Sequence, residues 1–474
     1  MKGFPRTFWV ANAIELIERW AWYGFFMLFA NYLTGSSDRG GLEFSQSQKG
    51  IIMGVGTGIL YFLPVLTGAI ADRYGYKRVM FLSFVIYASA FLLLPQFSSF
   101  TGVFLMYLYL ALGAALFKPI VSATIARTVT SENASIGFGV FYMMVNIGGF
   151  VGPMVTLLFK DSYEWVFYVS AAMIGLNFLL LLFYKEPPLA PSAIGSQPAR
   201  ISLASSLFVL RDVRFMLFLL IVAGFWAMFY QIYFMLPVFI TQWVDTGAVY
   251  DFFHHYLPFV STHYSPSPGV MDAEFITNVD ALSIILLQVV VSGVVMRMRP
   301  LRSMMAGFIV CTIGMSLSVM SQNVLFTVVA IVIFALGEMA ASPKITEYIG
   351  RIAPHDRKAV YMGFSFVPVF LGSTLAGILS GPVYQQISDK AQLADRFLDT
   401  PVFQDFHIPE GLSANARFEA IAAHLHLTPD GLTSLLWADC RPWRIFLVIM
   451  AVGFVSATAL YFYDRSLAEG QPSD

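Results

Sequence analysis

A succession of apolar runs dominates this sequence, each long enough to cross a lipid bilayer. A membrane-spanning helix needs about 20 mostly apolar residues. Twelve such runs are legible: 7–33, 47–71, 77–96, 100–127, 134–159, 163–184, 212–242, 273–296, 300–320, 324–350, 358–384 and 441–463. Of the 474 residues, 57% are hydrophobic and only 12% charged, whereas roughly a quarter of a soluble domain is charged. That balance excludes a nucleic-acid binder, a disordered scaffold and a disulfide-stapled secreted module. The net charge of -1 offers no basic face for phosphates. Cys311, in an apolar run, and Cys440, in a polar one, cannot build a disulfide framework or a zinc site. The first run exceeds a signal-peptide core in length, holds Glu15, Glu18 and Arg19, and lacks a small-residue cleavage site, so it reads as a span. The expected fold class is an all-α polytopic membrane protein.

Lys and Arg set the expected orientation. With the N-terminus inside, the inner loops collect Arg73, Lys77, Arg78, Arg127, Arg211, Arg214, Arg297, Arg299, Arg302, Arg351 and Arg465 among others. The short outer loops hold only Arg39, Lys49 and Lys160. Both termini are therefore expected in the cytoplasm, with the chain in the cell (inner) membrane. A Pro- and Ser-bearing stretch, 185–211, reads as a cytoplasmic linker between a first half, 1–184, and a second, 212–474. Two long outer segments, 243–272 and 385–440, read as inserts. In the latter, Asn415–Leu425 is amphipathic and Thr428-Pro429-Asp430 is a helix-start signal.

The two halves echo each other. Ala111-Leu112-Gly113 through Lys118-Pro119 aligns with Ala335-Leu336-Gly337 through Ser342-Pro343, and Gly152-Pro153 aligns one helix later with Gly381-Pro382. Parallel repeats of this kind are a transporter architecture with the ligand site between the repeats.

Charges inside apolar spans are costly and mark function by default. Glu15, Glu18, Arg19 and Trp22 share one helix face, with Tyr23 beside it. The cluster either glues helices by self-neutralisation or leaves a surplus carboxylate that takes up a proton when desolvated. Lys118 and Glu338 lie mid-span at matching places of the two halves. They either bridge the halves directly or meet opposite ends of a zwitterionic ligand. The seven histidines lie outside the spans, and no GxxxxGK[ST] loop supports nucleotide hydrolysis. Gly54, Gly56 and Gly58 read as close helix packing. No cofactor or metal is called for.

The segment Gly68-Ala69-Ile70-Ala71-Asp72-Arg73-Tyr74-Gly75-Tyr76-Lys77-Arg78 resembles the cytoplasmic loop motif of the major facilitator superfamily. Gly68, Asp72, Arg73, Gly75, Lys77 and Arg78 would carry its gating role. Glu15-Leu16-Ile17-Glu18-Arg19-Trp20-Ala21-Trp22-Tyr23-Gly24 is similar to the ExxERFxYYG signature of the proton-dependent oligopeptide transporters, and Lys118-Pro119, Phe141-Tyr142, Asn146, Trp226 through Gln231 and Gly337-Glu338 extend the match. The resemblance implies twelve helices in two six-helix bundles (the major facilitator fold). It implies proton coupling through Glu15, Glu18, Arg19 and Glu338. Arg19 and Lys118 would engage a peptide carboxylate and Glu338 the amine, while Trp22, Tyr23, Tyr61, Asn146, Trp226, Gln231 and Asn278 would line the pocket. Trp20 and Trp22 depart from the signature's Phe and first Tyr, and 185–211 is too short for the two extra helices of many bacterial relatives. Lys344 and Glu347 are additional charges spaced to pair with each other.

The expectation is a non-enzymatic, monomeric symporter. It would import di-/tripeptides or related zwitterions with protons by alternating access, with membrane lipid around it and no nucleic-acid partner. The rivals are a proton-coupled carrier or exporter of another metabolite or drug, and a transporter-derived sensor or scaffold.

Overall fold

The structure is a computed structural model, describing residues 3–130, 133–160, 162–187, 209–354, 358–398, 408–409 and 411–469. Most of the expected 185–211 linker therefore lies outside the described residues. No β-strand forms among the described ones; two isolated bridges, such as Asp245 with Asn323, are the extent of extended pairing. This follows from the solvent: with no water in the bilayer core, backbone groups must bond within their own segment.

The first half comprises α1 (Arg6–Thr34), α2 (Gln46–Phe62), α3 (Pro64–Tyr74), α4 (Tyr76–Leu93), α5 (Phe100–Thr128), α6 (Ala134–Thr156) and α7 (Tyr163–Phe183). The second begins with α8 (Val213–Phe229), α9 (Gln231–Phe234) and α10 (Leu236–Trp243). The short α11 (Gly247–Tyr256), α12 (Pro258–His263) and α13 (Ala273–Thr277) follow. It continues with α14 (Val279–Val295), α15 (Pro300–Ser318), α16 (Val324–Ile352), α17 (Lys358–Phe364) and α18 (Val367–Ile378). It ends with α19 (Tyr384–Ile387), α20 (Lys390–Leu398), α21 (Ala414–His424), α22 (Pro429–Cys440) and α23 (Ile445–Glu469). Among the described residues, ten helices are long and apolar enough to cross a membrane. The two other expected spans are α1, 29 residues long but diluted by charges, Trp and Tyr, and the pair α2–α3, interrupted at Pro64. Outward-facing Leu182, Val289 and Val455 give the bundle its apolar belt.

The breaks follow from local chemistry. Pro64 and Pro237 start new segments, and Asn278 separates α13 from α14. Pro119, Pro153 and Pro343 remain inside helices, where neighbouring elements tolerate them.

Contacts give the repeat physical content. Gly113 on α5 lies against the Tyr87 backbone of α4, and Gly337 on α16 against the Cys311 backbone of α15. The second sequence pairing needs correction. Gly152 packs on Trp20 of its own half, whereas Gly381, at a kinked π-helical turn over Leu379–Val383, packs across the halves on Gly50. The true counterparts are Gly148 and Gly372, each against the first helix of its own half, at Leu16 and Ala223 respectively, and separated along the chain as Gly113 and Gly337 are.

Two sequence expectations also shift at the end of the bundle that carries the inserts. Lys49, read as an outer-loop cation, is fully buried in α2, with Nζ donating to Gln46 Oε1 at 2.8 Å. The segment from 385, read as the start of a separate insert, continues the bundle. Gln385 Oε1 accepts from the Ser47 backbone at 2.9 Å, and Asp389 Oδ1 accepts from Gln46 Nε2 and Gln242 Nε2, each at 2.9 Å. Beyond it, α21 and α22 are the two expected helices, with Thr428 accepting from Gly431 N at 3.1 Å. They bury Ile421, Leu432 and Leu436.

Candidate functional site

The first-helix charges form a closed network. Arg19 Nε donates to Glu18 Oε2 at 2.6 Å, a terminal guanidinium nitrogen reaches the same oxygen at 2.5 Å, and Glu15 Oε1 lies 3.3 Å from Nε. The Tyr87 hydroxyl donates to Glu18 Oε1 at 2.9 Å. All three charged side chains are buried. The guanidinium carbon stands 5.9 Å from the ring centroid of Tyr23, which lines the central cavity.

That cavity, about 50 Å³, is lined by Tyr23, Asn146 and Gly149 from the first half and by Tyr233, Asp280, Ile284 and Glu338 from the second. The structure thus brings together three expected site residues: Tyr23, Asn146 and Glu338. Lys118 sits apart from Glu338, its ammonium 4.3 Å from the Tyr61 ring centroid, and it enters no ion pair found among the described residues. Tyr61 in turn faces Tyr230, the ring centroids 6.3 Å apart.

The remaining candidates pack rather than line this cavity. Trp22 stacks on Phe26 in the aromatic core. Trp226 lies among Phe225, Phe229 and Tyr230, its indole N–H without an acceptor. Gln231 donates to Ala227 O at 2.8 Å, and Asn278 donates across the halves to Phe150 O at 3.1 Å. Lys344 pairs with Glu347 at 2.7 Å.

Sequence reasoning missed Asp280. It is buried, its Oδ1 meets no donor, and it shares the cavity with Glu338. The signal was present: it is an acidic residue inside the 273–296 span, the same anomaly that singled out Glu338.

A second cavity, about 400 Å³, opens at the insert end. It is crossed by cross-half bonds: Asn31 Nδ2 donates to Glu274 Oε1 at 2.7 Å, and Lys160 pairs with Asp272.

A family model described as the Major Facilitator Superfamily matches residues 12–376. The chain belongs to this superfamily. Superfamily membership makes it a multi-pass membrane transporter rather than an enzyme. It is 26% identical over 184 residues to the uncharacterized transporter YclF of Bacillus subtilis, covering 38% of this chain and 37% of that one. It is 28% identical over 177 residues to the peptide transporter YePEPT of Yersinia enterocolitica, covering 36% and 34%. The chain thus aligns with little more than a third of these two relatives. A Na(+), Li(+), K(+)/H(+) antiporter of Planococcus maritimus matches at 24% over 356 residues, 71% of this chain and 81% of that one. Among solved structures, a peptide transporter POT in complex with sulfate superposes with a TM-score of 0.66 at 16% identity, covering 97% and 95%.

In this superfamily member the 68–78 motif forms the turn between α3 and α4. Gly75 adopts φ +92, and a Cβ there would lie 3.1 Å from Glu186 Oε1. Lys77 N donates to that oxygen at 2.8 Å, and Lys77 Nζ donates to Tyr184 O at 3.3 Å. Glu186 was not anticipated from sequence. Arg73 and Arg78 are exposed, and the side chains of Gly68 and Asp72 lie outside the description.

Proposed function

We propose that the chain is a proton-coupled symporter that imports di- or tripeptides, or related zwitterions, by alternating access across the cell membrane, with both termini cytoplasmic. The carrying observation is the Glu15–Glu18–Arg19 network at 2.5–3.3 Å, linked through Tyr23 to a cavity whose opposite wall holds Glu338. A guanidinium balanced between two carboxylates has alternative partners. A proton on one carboxylate, or a substrate carboxylate beside Arg19, changes which pairing is favoured, and so links proton and substrate occupancy. Lys118, which enters no ion pair among the described residues, supplies a second anion contact, and Glu338 an ammonium contact. The names of the peptide-transporting relatives support the same substrate class. The test is uptake of a labelled dipeptide by proteoliposomes. An inward proton gradient should drive accumulation, unlabelled di- and tripeptides should compete, and free amino acids should not. Accumulation without a gradient, or indifference to peptides, refutes the reading.

A further inference from the structure

We propose that the hairpin formed by α11 and α12 lies in the membrane–water interface at the insert end of the bundle. Phe252, Tyr256, Leu257 and Phe259 are then seated among lipid headgroups and upper acyl chains. This needs only a membrane transporter, so it stands apart from the peptide-symport reading.

The first argument is composition. Residues 247–264 hold six Phe or Tyr, three His and a single formally charged side chain, Asp251, whereas roughly a quarter of a soluble domain is charged. Yet Phe252 is 54% exposed, Tyr256 65%, Leu257 55% and Phe259 60%. The other insert supplies the contrast: Arg396, Arg417, Glu419 and Asp430 are exposed on α20, α21 and α22. One insert has a surface made for water and the other does not. Exposed apolar clusters mark a protein or membrane contact, and rings with polar tips gather at membrane interfaces.

The second argument is placement. Asp245 N donates to Gln322 O at 2.7 Å, and Gln322 lies in the short turn between α15 and α16, both long and apolar enough to span. That turn marks the membrane boundary, and the insert starts beside it. Met271 N donates to Thr246 Oγ1 at 2.8 Å, which clasps the two ends of the insert together. Phe253 and Tyr264 both meet the ring of Phe275, centroids 5.4 and 5.1 Å away, in the first turn of the span Ala273–Val295. The hairpin therefore rests on the end of a span.

Continuity with the lipid-facing belt identifies the occupant. α11 also packs against α16, whose first turns leave Leu325, Phe326 and Val329 exposed, as α14 leaves Leu286 and Val290. The exposed face of the hairpin continues this apolar surface at its edge. Length fixes the depth. α11 has ten residues, about 15 Å of helix, half of the roughly 30 Å hydrocarbon core. It cannot span, and an interfacial helix sinks its apolar face by about 5–10 Å. Thr246 and Met271 also line the larger cavity, so the level at which the hairpin sits sets one wall of that cavity.

The experiment uses the full chain reconstituted at high dilution in phosphatidylcholine vesicles. Cys440 is replaced by Ser, Cys311 being buried, and one nitroxide is attached at Phe252→Cys, Phe259→Cys, Leu286→Cys or Glu419→Cys. Leu286 is the lipid-facing reference in mid-span and Glu419 the water-facing one. Power saturation reads collisions with oxygen, which concentrates in lipid, against those with a water-soluble nickel chelate. The oxygen-to-nickel ratio at 252 and 259 should lie several-fold above that at 419 and below that at 286. Should Phe252→Cys fail to reconstitute, Tyr256→Cys and Leu257→Cys read the same face. A ratio equal to that at 419 places the hairpin in water and overturns the proposal. So does low access to both reagents, or spin–spin broadening that fades on adding unlabelled chain, which would mean that a second copy covers the face. Peptide uptake is a separate measurement, so either reading can fail while the other stands.

Discussion

Gly50 on α2 and Gly377 on α18 meet backbone to backbone across the two halves, so that a Cβ on either would overlap the other's carbonyl oxygen. Gly54 repeats the contact one turn on, and Gln46, Ser47 and Asp389 extend it toward the insert end. This seam closes the bundle there. The clash falls on backbone, so no rotamer change relieves it. Overpacking typically costs about 1–3 kcal/mol, and here the cost falls on the closed arrangement alone. Gly50→Ala and Gly377→Ala should therefore fold normally yet disfavour closure. Cross-linking of a Ser47→Cys/Gln385→Cys pair should slow about tenfold or more, with transport falling in parallel.

Glu18 is held by Arg19 and by the Tyr87 hydroxyl at 2.9 Å. Breaking a buried ion pair by removing one partner costs about 3–5 kcal/mol, whereas one hydrogen bond to a charged group is worth about 1.5–3 kcal/mol. Glu18→Gln should abolish gradient-driven accumulation while exchange of bound substrate partly survives. Tyr87→Phe should keep accumulation at a reduced rate. Counterflow and gradient-driven uptake in the same vesicles separate the two effects; wild-type accumulation by Glu18→Gln would remove Glu18 from the coupling route.

The span positions were legible because apolar length and Lys/Arg placement are read directly off the chain, and α4 through α7 begin and end within a few residues of expectation. Charged anomalies in apolar runs were equally legible, which is why Glu338 was found and Asp280 was findable, whereas Tyr23 and Asn146 entered as pocket residues through the family resemblance. Lys49 and Asp389 were not, since each is buried by an element from the other half, a tertiary fact that no local pattern carries. Trp22 illustrates the converse: it shares a face with Arg19, yet the stripe is wide enough for its ring to turn into the aromatic core beside Phe26.

Docking of α21 against the 35–45 loop carries a pH signature. Glu43 Oε1 accepts from Ala414 N at 2.8 Å and from Ser37 N at 2.7 Å. Partial burial alone would raise this carboxyl, but the bonds from Ser37, Ala414 and Ser36 outweigh it and hold Glu43 below its ordinary value. Asp38 is lowered too, chiefly by the Ser36 hydroxyl, with Asn415 contributing. Groups depressed in the docked state stabilise it fully above their undocked values, about 4, and that contribution is lost as pH falls through the docked ones. Amide exchange at the start of α21, corrected for intrinsic rate, should be flat from about pH 5 to 8 and quicken in stronger acid. Glu43→Gln should raise the baseline and flatten the acid limb. An unchanged acid limb would mean other groups hold the cap.

The polarity of the substrate can be read from the two walls. Among the described residues, neither Lys118 nor Glu338 enters an ion pair. A zwitterion would satisfy both, with each charge-assisted bond typically worth about 1.5–3 kcal/mol. Losing either should weaken binding by roughly tenfold or more. Blocking the amine of a dipeptide should hurt the wild type badly but Glu338→Gln much less, because the partner charge is already gone. Amidating the carboxyl should behave likewise toward Lys118→Gln. Asp280 sharpens the expectation: with a second carboxylate beside Glu338, the amine-blocked peptide should still lose some affinity in Glu338→Gln, and that remainder should vanish in the Asp280→Asn/Glu338→Gln double variant. Affinities from competition binding complete the cycles. Additive losses at both ends would place these charges away from the substrate, and the zwitterion reading would fall with them.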